Sequence, residues 1–234
     1  MSGLLRRLCI SLVGLCLLSS PLLAATPEPP ALERLARVAP GLDRQVLRHA
    51  LAAMQCALNH GAEPAKRLAV IDYAQPSTAR RLWIFDLQGQ RLLLNDLVAH
   101  GRRSGENFAT RFSNALNSHQ SSLGLFRAAE SYRGKHGYSL RLDGLEPGVN
   151  DRARERAIVI HGASYVDPRL ASSQGRIGRS LGCPAVRPEV ARMVVDQLKG
   201  GQFVFAWYPD RDWLQGSAYL DCPPQSPVAS LARR

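Results

Sequence analysis

The sequence predicts a mostly β domain with an amphipathic helix at its N-terminal side and one short helix near its C-terminal end. Three observations point there. Apolar residues recur at helical spacing over residues 42–59 and again only at 188–199. Between those segments stand short runs rich in β-branched and aromatic residues, bounded by Gly, Asn, Ser or Pro. Two long Gly- and Ser-rich stretches, 99–122 and 163–182, interrupt the runs, and no internal repeat divides the chain.

The first helix comes after Pro40-Gly41. Val46, Leu47, Ala50, Leu51, Met54 and Leu58 mark its apolar face, Asp43 stands in its first turn and Gly61 stops it. One such helix cannot hold its shape alone and must pack on the strands C-terminal to it. Strands are expected at 68–73, 81–87 and 91–98, the last two joined by a turn at Gln88-Gly89-Gln90. Further strands are expected at 123–128 and 138–142, around Gly134-Lys135-His136-Gly137. Residues 156–161 form a continuous apolar strand ending at His161-Gly162. The stretch 163–182 reads as a long loop, and long loops in compact domains are usually functional. Pro188 opens a short helix that ends at Gly200-Gly201, and 202–208 is the final strand.

The chain ends frame this domain. Arg6 and Arg7 precede an eleven-residue apolar stretch, Leu8 to Leu18, and then Ser19-Ser20-Pro21 and Ala24-Ala25. That is the layout of a secretory signal peptide over residues 1–25, too short to be a membrane span. The expected organisation is therefore a signal at 1–25, a proline-rich linker at 26–41, a domain at 42–208 and an irregular tail at 209–234. The protein would be periplasmic or secreted, with no stable membrane insertion after the signal is cleaved. The leader holds two arginines and no acids, so without it the formal charge of +11 falls to +9. A basic surface suits polyanionic partners, which outside the cytoplasm are wall polymers or lipid head groups rather than nucleic acid. An arginine-rich composition alone accounts equally for the charge.

Of five cysteines, Cys9 and Cys16 lie in the leader; Cys56, Cys183 and Cys222 remain. An odd count in an oxidising compartment implies one pair and one free thiol. The expected pair is Cys56–Cys222, leaving Cys183 free; the alternative is three reduced cysteines, with Cys56 a buried apolar side chain.

Cys183 stands in Gly178-Arg179-Ser180-Leu181-Gly182-Cys183-Pro184. Gly182 allows close approach of the backbone and leaves the amides of Gly182 and Cys183 to face a developing oxyanion. A thiol with a pKa near 8.5 needs a base or a cation to act as a nucleophile near pH 7. His161, at a strand terminus upstream of the same loop, is the candidate base, since strand ends are rigid platforms.

These residues resemble the L,D-transpeptidase (YkuD-type) catalytic domain, murein branch. The likeness is carried by Leu97-Val98-Ala99-His100-Gly101, Ser121-Ser122-Leu123-Gly124, Gly134-Lys135-His136-Gly137-Tyr138, Asn150-Asp151, His161-Gly162 and the segment 178–186. The resemblance implies a β-sandwich-like catalytic domain that acts on peptidoglycan stem peptides without a cofactor or metal. It implies Cys183 as nucleophile, His161 as base, the Gly162 backbone orienting the imidazole, and the amides of Gly182 and Cys183 as oxyanion donors. A thioester would pass to an amine, giving a 3–3 cross-link, or to water, giving carboxypeptidase or amidase activity. Ser180, Arg179, His136 and His100 are the expected substrate-side residues. Two positions depart from the common signature: Leu181 replaces a His, and Ala185 replaces an Arg. Arg179 or Arg187 could then supply the positive charge for a stem carboxylate. Two further readings stay open: a non-catalytic wall-binding protein, and a zinc site of His100, His136, His161 and Cys183, whose spacing lacks the close pairs zinc sites use.

Overall fold

A computed structural model of the protein describes residues 30–222. The expected signal peptide, residues 26–29 of the expected linker and the tail beyond 222 lie outside the described residues. The elements are α1 (Pro30–Val38), α2 (Arg44–Asn59), β1 (Arg67–Asp72), β2 (Leu82–Asp86), β3 (Arg91–Asp96), β4 (Val98–Ala99), β5 (Gly124–Gly134), β6 (Gly137–Gly144), β7 (Val159–Gly162), α3 (Pro168–Gln174), β8 (Ala185–Val186), α4 (Pro188–Leu198), β9 (Gln202–Trp207) and α5 (Arg211–Gly216). The mostly β class with peripheral helices holds.

The strands hydrogen-bond in the order β3-β2-β1-β9-β5-β6-β7-β8-β4. β1 and β9 pair in parallel at the centre, Leu68 opposite Phe203 and Val70 opposite Phe205. Nearly all residues of β1, β2 and β9 are buried, as a central sheet position demands. Asp43 caps α2, its Oδ1 accepting from the amides of Gln45 (2.6 Å) and Val46 (3.3 Å). The helix buries Val46, Leu47, Ala50, Ala53, Cys56 and Ala57.

Four local expectations change. Residues 30–38 are not extended linker but α1, which buries Leu32 and Leu35 in the core. The strand expected over 91–98 is two strands on opposite edges of the sheet. The break falls at Leu97, whose amide donates to Asp96 Oδ1 (2.7 Å) while the Asp96 carboxylate holds Arg187. The 163–182 loop contains α3, with Asp167 capping, Pro168 in the first turn and Gly175 left-handed at φ 70°. The segment after Tyr208 contains α5, whose Trp213 is buried. Buried Glu146 fastens it, taking hydrogen bonds from Trp213 Nε1 (3.0 Å), Ser217 Oγ (2.8 Å) and, on its other oxygen, the Leu125 amide (2.7 Å).

Cys56 and Cys222 form a disulfide across a sequence separation of 166, tying α2 to the chain after α5. Cys183 is the free cysteine among the described residues. Closing so long a loop restricts the unfolded chain strongly. Reduction, or the paired change Cys56→Ser and Cys222→Ser, is expected to remove roughly 2–5 kcal/mol of stability, read from urea unfolding midpoints. Thiol counting on the unfolded, unreduced protein lacking residues 1–25 should give one reactive thiol.

Candidate active site

The site is built where β7 meets β8. They pair in parallel, His161 opposite Ala185 and Gly162 opposite Val186. Cys183 lies just before β8, so the pairing sets it beside the strand that carries His161. β6 flanks β7 on the other side, Ser139 opposite His161. Gly162 is required by packing, because a Cβ there would stand 2.9 Å from Ala191 Cβ on α4.

His161 is buried, and its Nδ1 lies 3.0 Å from the Gly162 carbonyl. A carbonyl only accepts, so Nδ1 carries the proton and Nε2 keeps its lone pair. Burial holds the imidazole below its usual pKa, and His136 and Lys135 push the same way. His161 is therefore neutral near pH 7. His136 stacks on it from the β5–β6 turn, ring centroids 4.4 Å apart.

Cys183 is half-buried. Its thiol donates to the Ala157 carbonyl (3.7 Å), and among the described residues no hydrogen bond joins it to His161. Ligand-free sites often show loose catalytic geometry that tightens on substrate binding. Burial pushes the thiol pKa up; the amides of Val159 and Cys183, Arg156 and Lys135 oppose that rise. Ala157 itself takes a left-handed φ of 54°. The bonds from the Ala157 amide to Arg154 O (3.0 Å) and from the Ile158 amide to Ala153 O (2.9 Å) form a helix-end motif usually closed by glycine. A β-carbon in that conformation stores about 1 kcal/mol.

The turn around Cys183 is fixed by Ser180. Its Oγ donates to the Cys183 carbonyl (2.6 Å) and accepts from the Gly182 amide (3.0 Å). The Gly182 amide, expected to face an oxyanion, is therefore already engaged, and Ser180 shapes the turn rather than facing solvent. Gly182 has φ 123°, and a Cβ there would stand 2.9 Å from Gln120 O. Ser121 Oγ holds the same turn from below, donating to Gly182 O (3.0 Å) and accepting from the Gly101 amide (3.0 Å).

His100, expected to line the pocket, is instead fully buried beneath it. Arg81 Nη2 donates to its Nδ1 (2.7 Å), so the proton sits on Nε2, which faces Gly105 O (3.3 Å). Arg81 is also fully buried, bonding Val98 O through Nε and Nη2 and Gln75 O through Nη1. This buried strut supports the turn, since the Ser180 amide donates to His100 O (2.9 Å). Nothing in the sequence marks Arg81 as buried; it stands where a strand is expected to begin. With both His100 nitrogens occupied, His100 cannot join a zinc site with His136, His161 and Cys183. Among the described residues, Cys56, His60 and Cys222 are near enough to share an ion, but their two sulfurs are joined in the disulfide.

The two arginines expected to offer charge are committed elsewhere. Arg179 pairs with Glu106 and donates to Gly105 O (2.9 Å). Arg187 grips Asp96 through Nε and Nη2. Ala185 is fully buried in a small apolar cluster with Leu97, Ala99, Val166 and Ile177, which leaves no place for an arginine. Leu181 is 56% exposed beside the cysteine and presents an apolar side chain at the rim.

A model of the L,D-transpeptidase catalytic domain matches residues 38–207. No curated protein matches the chain. Among solved structures, an L,D-transpeptidase from Mycobacterium smegmatis is 16% identical with a TM-score of 0.39, the match covering 62% of this chain and 59% of that one. L,D-transpeptidase 3 from Mycobacterium tuberculosis, in complex with a faropenem-derived adduct, is 14% identical with a TM-score of 0.38 over 61% and 60% of the two chains. An L,D-transpeptidase from Stackebrandtia nassauensis is 12% identical with a TM-score of 0.37 over 76% of each. The chain thus spans about three-fifths of the mycobacterial chains it matches.

The buried His100 makes stability depend on pH. Burial first, and the Arg81 charge second, hold its pKa down from 6.5 to about 4. An unfolded histidine binds its proton near 6.5, so between those values the unfolded state binds more protons and stability falls as pH is lowered. The loss totals ~3 kcal/mol, and His161 adds to it in the same direction. Urea unfolding at pH 7 and pH 4.5 should show the loss, and His100→Gln should reduce it.

Proposed function

The chain belongs to the L,D-transpeptidase catalytic-domain family, and on that premise we propose that it is an exported cysteine acyltransferase acting on peptidoglycan stem peptides. One observation carries the reading most: a free cysteine in a tight glycine turn stands beside the strand of a buried, neutral histidine whose Nε2 is unprotonated. A site of that kind suits nucleophilic acyl transfer.

In this reading His161 Nε2 takes the Cys183 proton as sulfur attacks a stem-peptide carbonyl. The C–N bond to the terminal D-alanine then breaks, and the proton passes to the departing amine. A thioester remains on Cys183. An amine from a second stem attacks it, forming a new amide and returning the thiol; with water as acceptor the product is a free acid. The Gly162 carbonyl holds the imidazole in the required tautomer. Because Ser180 Oγ occupies the Gly182 amide, oxyanion stabilisation falls to the Cys183 amide unless the turn opens. His136, stacked on the base, and Leu181, at the rim, are the side chains best placed to meet substrate. Arg6-Arg7 with the apolar run behind them, and the disulfide, support placement in the periplasm or outside the cell. No helix among the described residues is long and apolar enough to cross a membrane.

Incubation with a carbapenem, then intact-mass measurement, should give one covalent adduct that Cys183→Ala lacks. Product analysis on disaccharide-tetrapeptide muropeptides should then show 3–3 linked dimers. Tripeptide products alone would assign hydrolysis instead, and neither adduct nor turnover would favour the wall-binding reading.

A further inference from the structure

Positive charge near a cysteine nucleophile has to come from somewhere, and Arg179 and Arg187 are held by Glu106 and Asp96. Arg156 is placed differently. It lies half-buried in the turn before β7, and among the described residues its hydrogen bonds all go to neutral groups. Nη1 donates to Ser113 O (2.6 Å) and to Ser122 Oγ; Nη2 donates to Gln120 O (2.6 Å) and Ser118 Oγ (3.1 Å). Two nitrogens thus grip four acceptors across residues 113–122. That loop lies directly under the cysteine turn. Gln120 O is 2.9 Å, and Arg156 Nη2 3.6 Å, from where a Cβ on Gly182 would stand. The next residue, Ala157, is the one whose carbonyl receives the Cys183 thiol. Burying a guanidinium without a carboxylate costs desolvation, and neutral acceptors return only part of it. Its charge gains a partner when Cys183 ionises, since each group favours the charged form of the other.

We propose that Arg156 is the positioning cation of this site: it clamps the 113–122 loop beneath the cysteine turn and sets a positive charge against which the Cys183 thiolate forms. The proposal rests on the reading of Cys183 as nucleophile. The other groups facing the sulfur come from three further elements. Lys135, on the β5–β6 turn, also favours the thiolate, but it is exposed, where water and salt screen it. Tyr73, just after β1, and Tyr165, just after β7, are both pushed up to about 12 by burial, so neither carries charge near pH 7. The rings of His161, on β7, and His136, on the β5–β6 turn, stack on each other. Arg156 is thus the cation held in fixed geometry against the sulfur.

The test is the pH dependence of Cys183 alkylation by iodoacetamide, read by intact mass on the disulfide-bonded chain. Arg156→Gln removes the charge and should raise the midpoint by about one pH unit or more, the usual effect of losing an opposite charge at close range. Arg156→Lys keeps the charge but loses the fork; its midpoint should stay near the wild-type value while its melting temperature drops. An unchanged midpoint in folded Arg156→Gln would overturn the proposal. Should Arg156→Gln not fold, Arg156→Lys decides: a midpoint raised by a unit despite the retained charge overturns the proposal equally. Alkylation needs no peptidoglycan, so loss of the charge effect with intact stem-peptide turnover, and loss of turnover with an intact charge effect, are separate outcomes.

Discussion

The parallel pairing of β7 and β8 is the constraint on which the rest of the site depends. It spans only two residue pairs, His161 with Ala185 and Gly162 with Val186. Yet it converts a separation of twenty-two residues into adjacency between a histidine and a cysteine. Parallel neighbours need a crossover, and the chain between them supplies one in α3 and the turn at 178–182. Everything that stiffens this junction acts on both functional groups at once. On the β7 side, α4 packs so closely that residue 162 has to be glycine. On the β8 side, Ala185 fills an apolar cluster that admits no larger side chain.

Around that junction one set of polar groups serves as support. Ser180, Ser121, His100 and Arg81 bond to the backbone around them, and Arg81 to His100, forming a buried platform beneath the cysteine turn. Burying a guanidinium against a neutral imidazole is costly, and it is tolerated because each donor finds an acceptor. The side chains of Cys183, His161 and His136 take no part in that platform. Ala157, held in a left-handed conformation, aims its carbonyl at the thiol. Backbone strain of this kind is characteristic of functional sites, where surrounding structure over-determines the conformation. The thiol is engaged with that carbonyl, away from His161.

Much of the fold is legible from pattern. The run at 156–161 becomes β7 only from Val159, residues 156–157 turning instead around left-handed Ala157; the runs at 68–73 and 202–208 correspond to β1 and β9, and the helices at 42–59 and 188–199 form close to their expected limits. These segments carry strong periodicity or continuous apolar character, which survive any tertiary context. The elements that pattern does not show are short or dependent on distant partners. α1 is nine residues long and gains its stability from burying Leu32 and Leu35. α5 is held by Glu146, more than sixty residues away in sequence. α3 is signalled by Asp167-Pro168 and Gly175, cap residues inside a stretch that otherwise reads as loop. The site divides the same way. The free Cys183, the strand-end position of His161-Gly162 and the disulfide pair can be named from residue type and position. The burial of His100, the strut from Arg81 and the fork of Arg156 depend on contacts between segments that no local pattern encodes.

In the proposed reaction Cys183 is the nucleophile and His161 the base. The most direct measurement is single-turnover acylation by a stem tetrapeptide ending in D-alanine, with the thioester tracked by rapid-quench mass spectrometry in wild type and His161→Gln. The expected result is a thioester on Cys183 alone, formed ~10²–10⁴-fold more slowly in His161→Gln, the usual contribution of a positioned base. Acylation at wild-type speed without the imidazole, or an acyl group on any other residue, would contradict it.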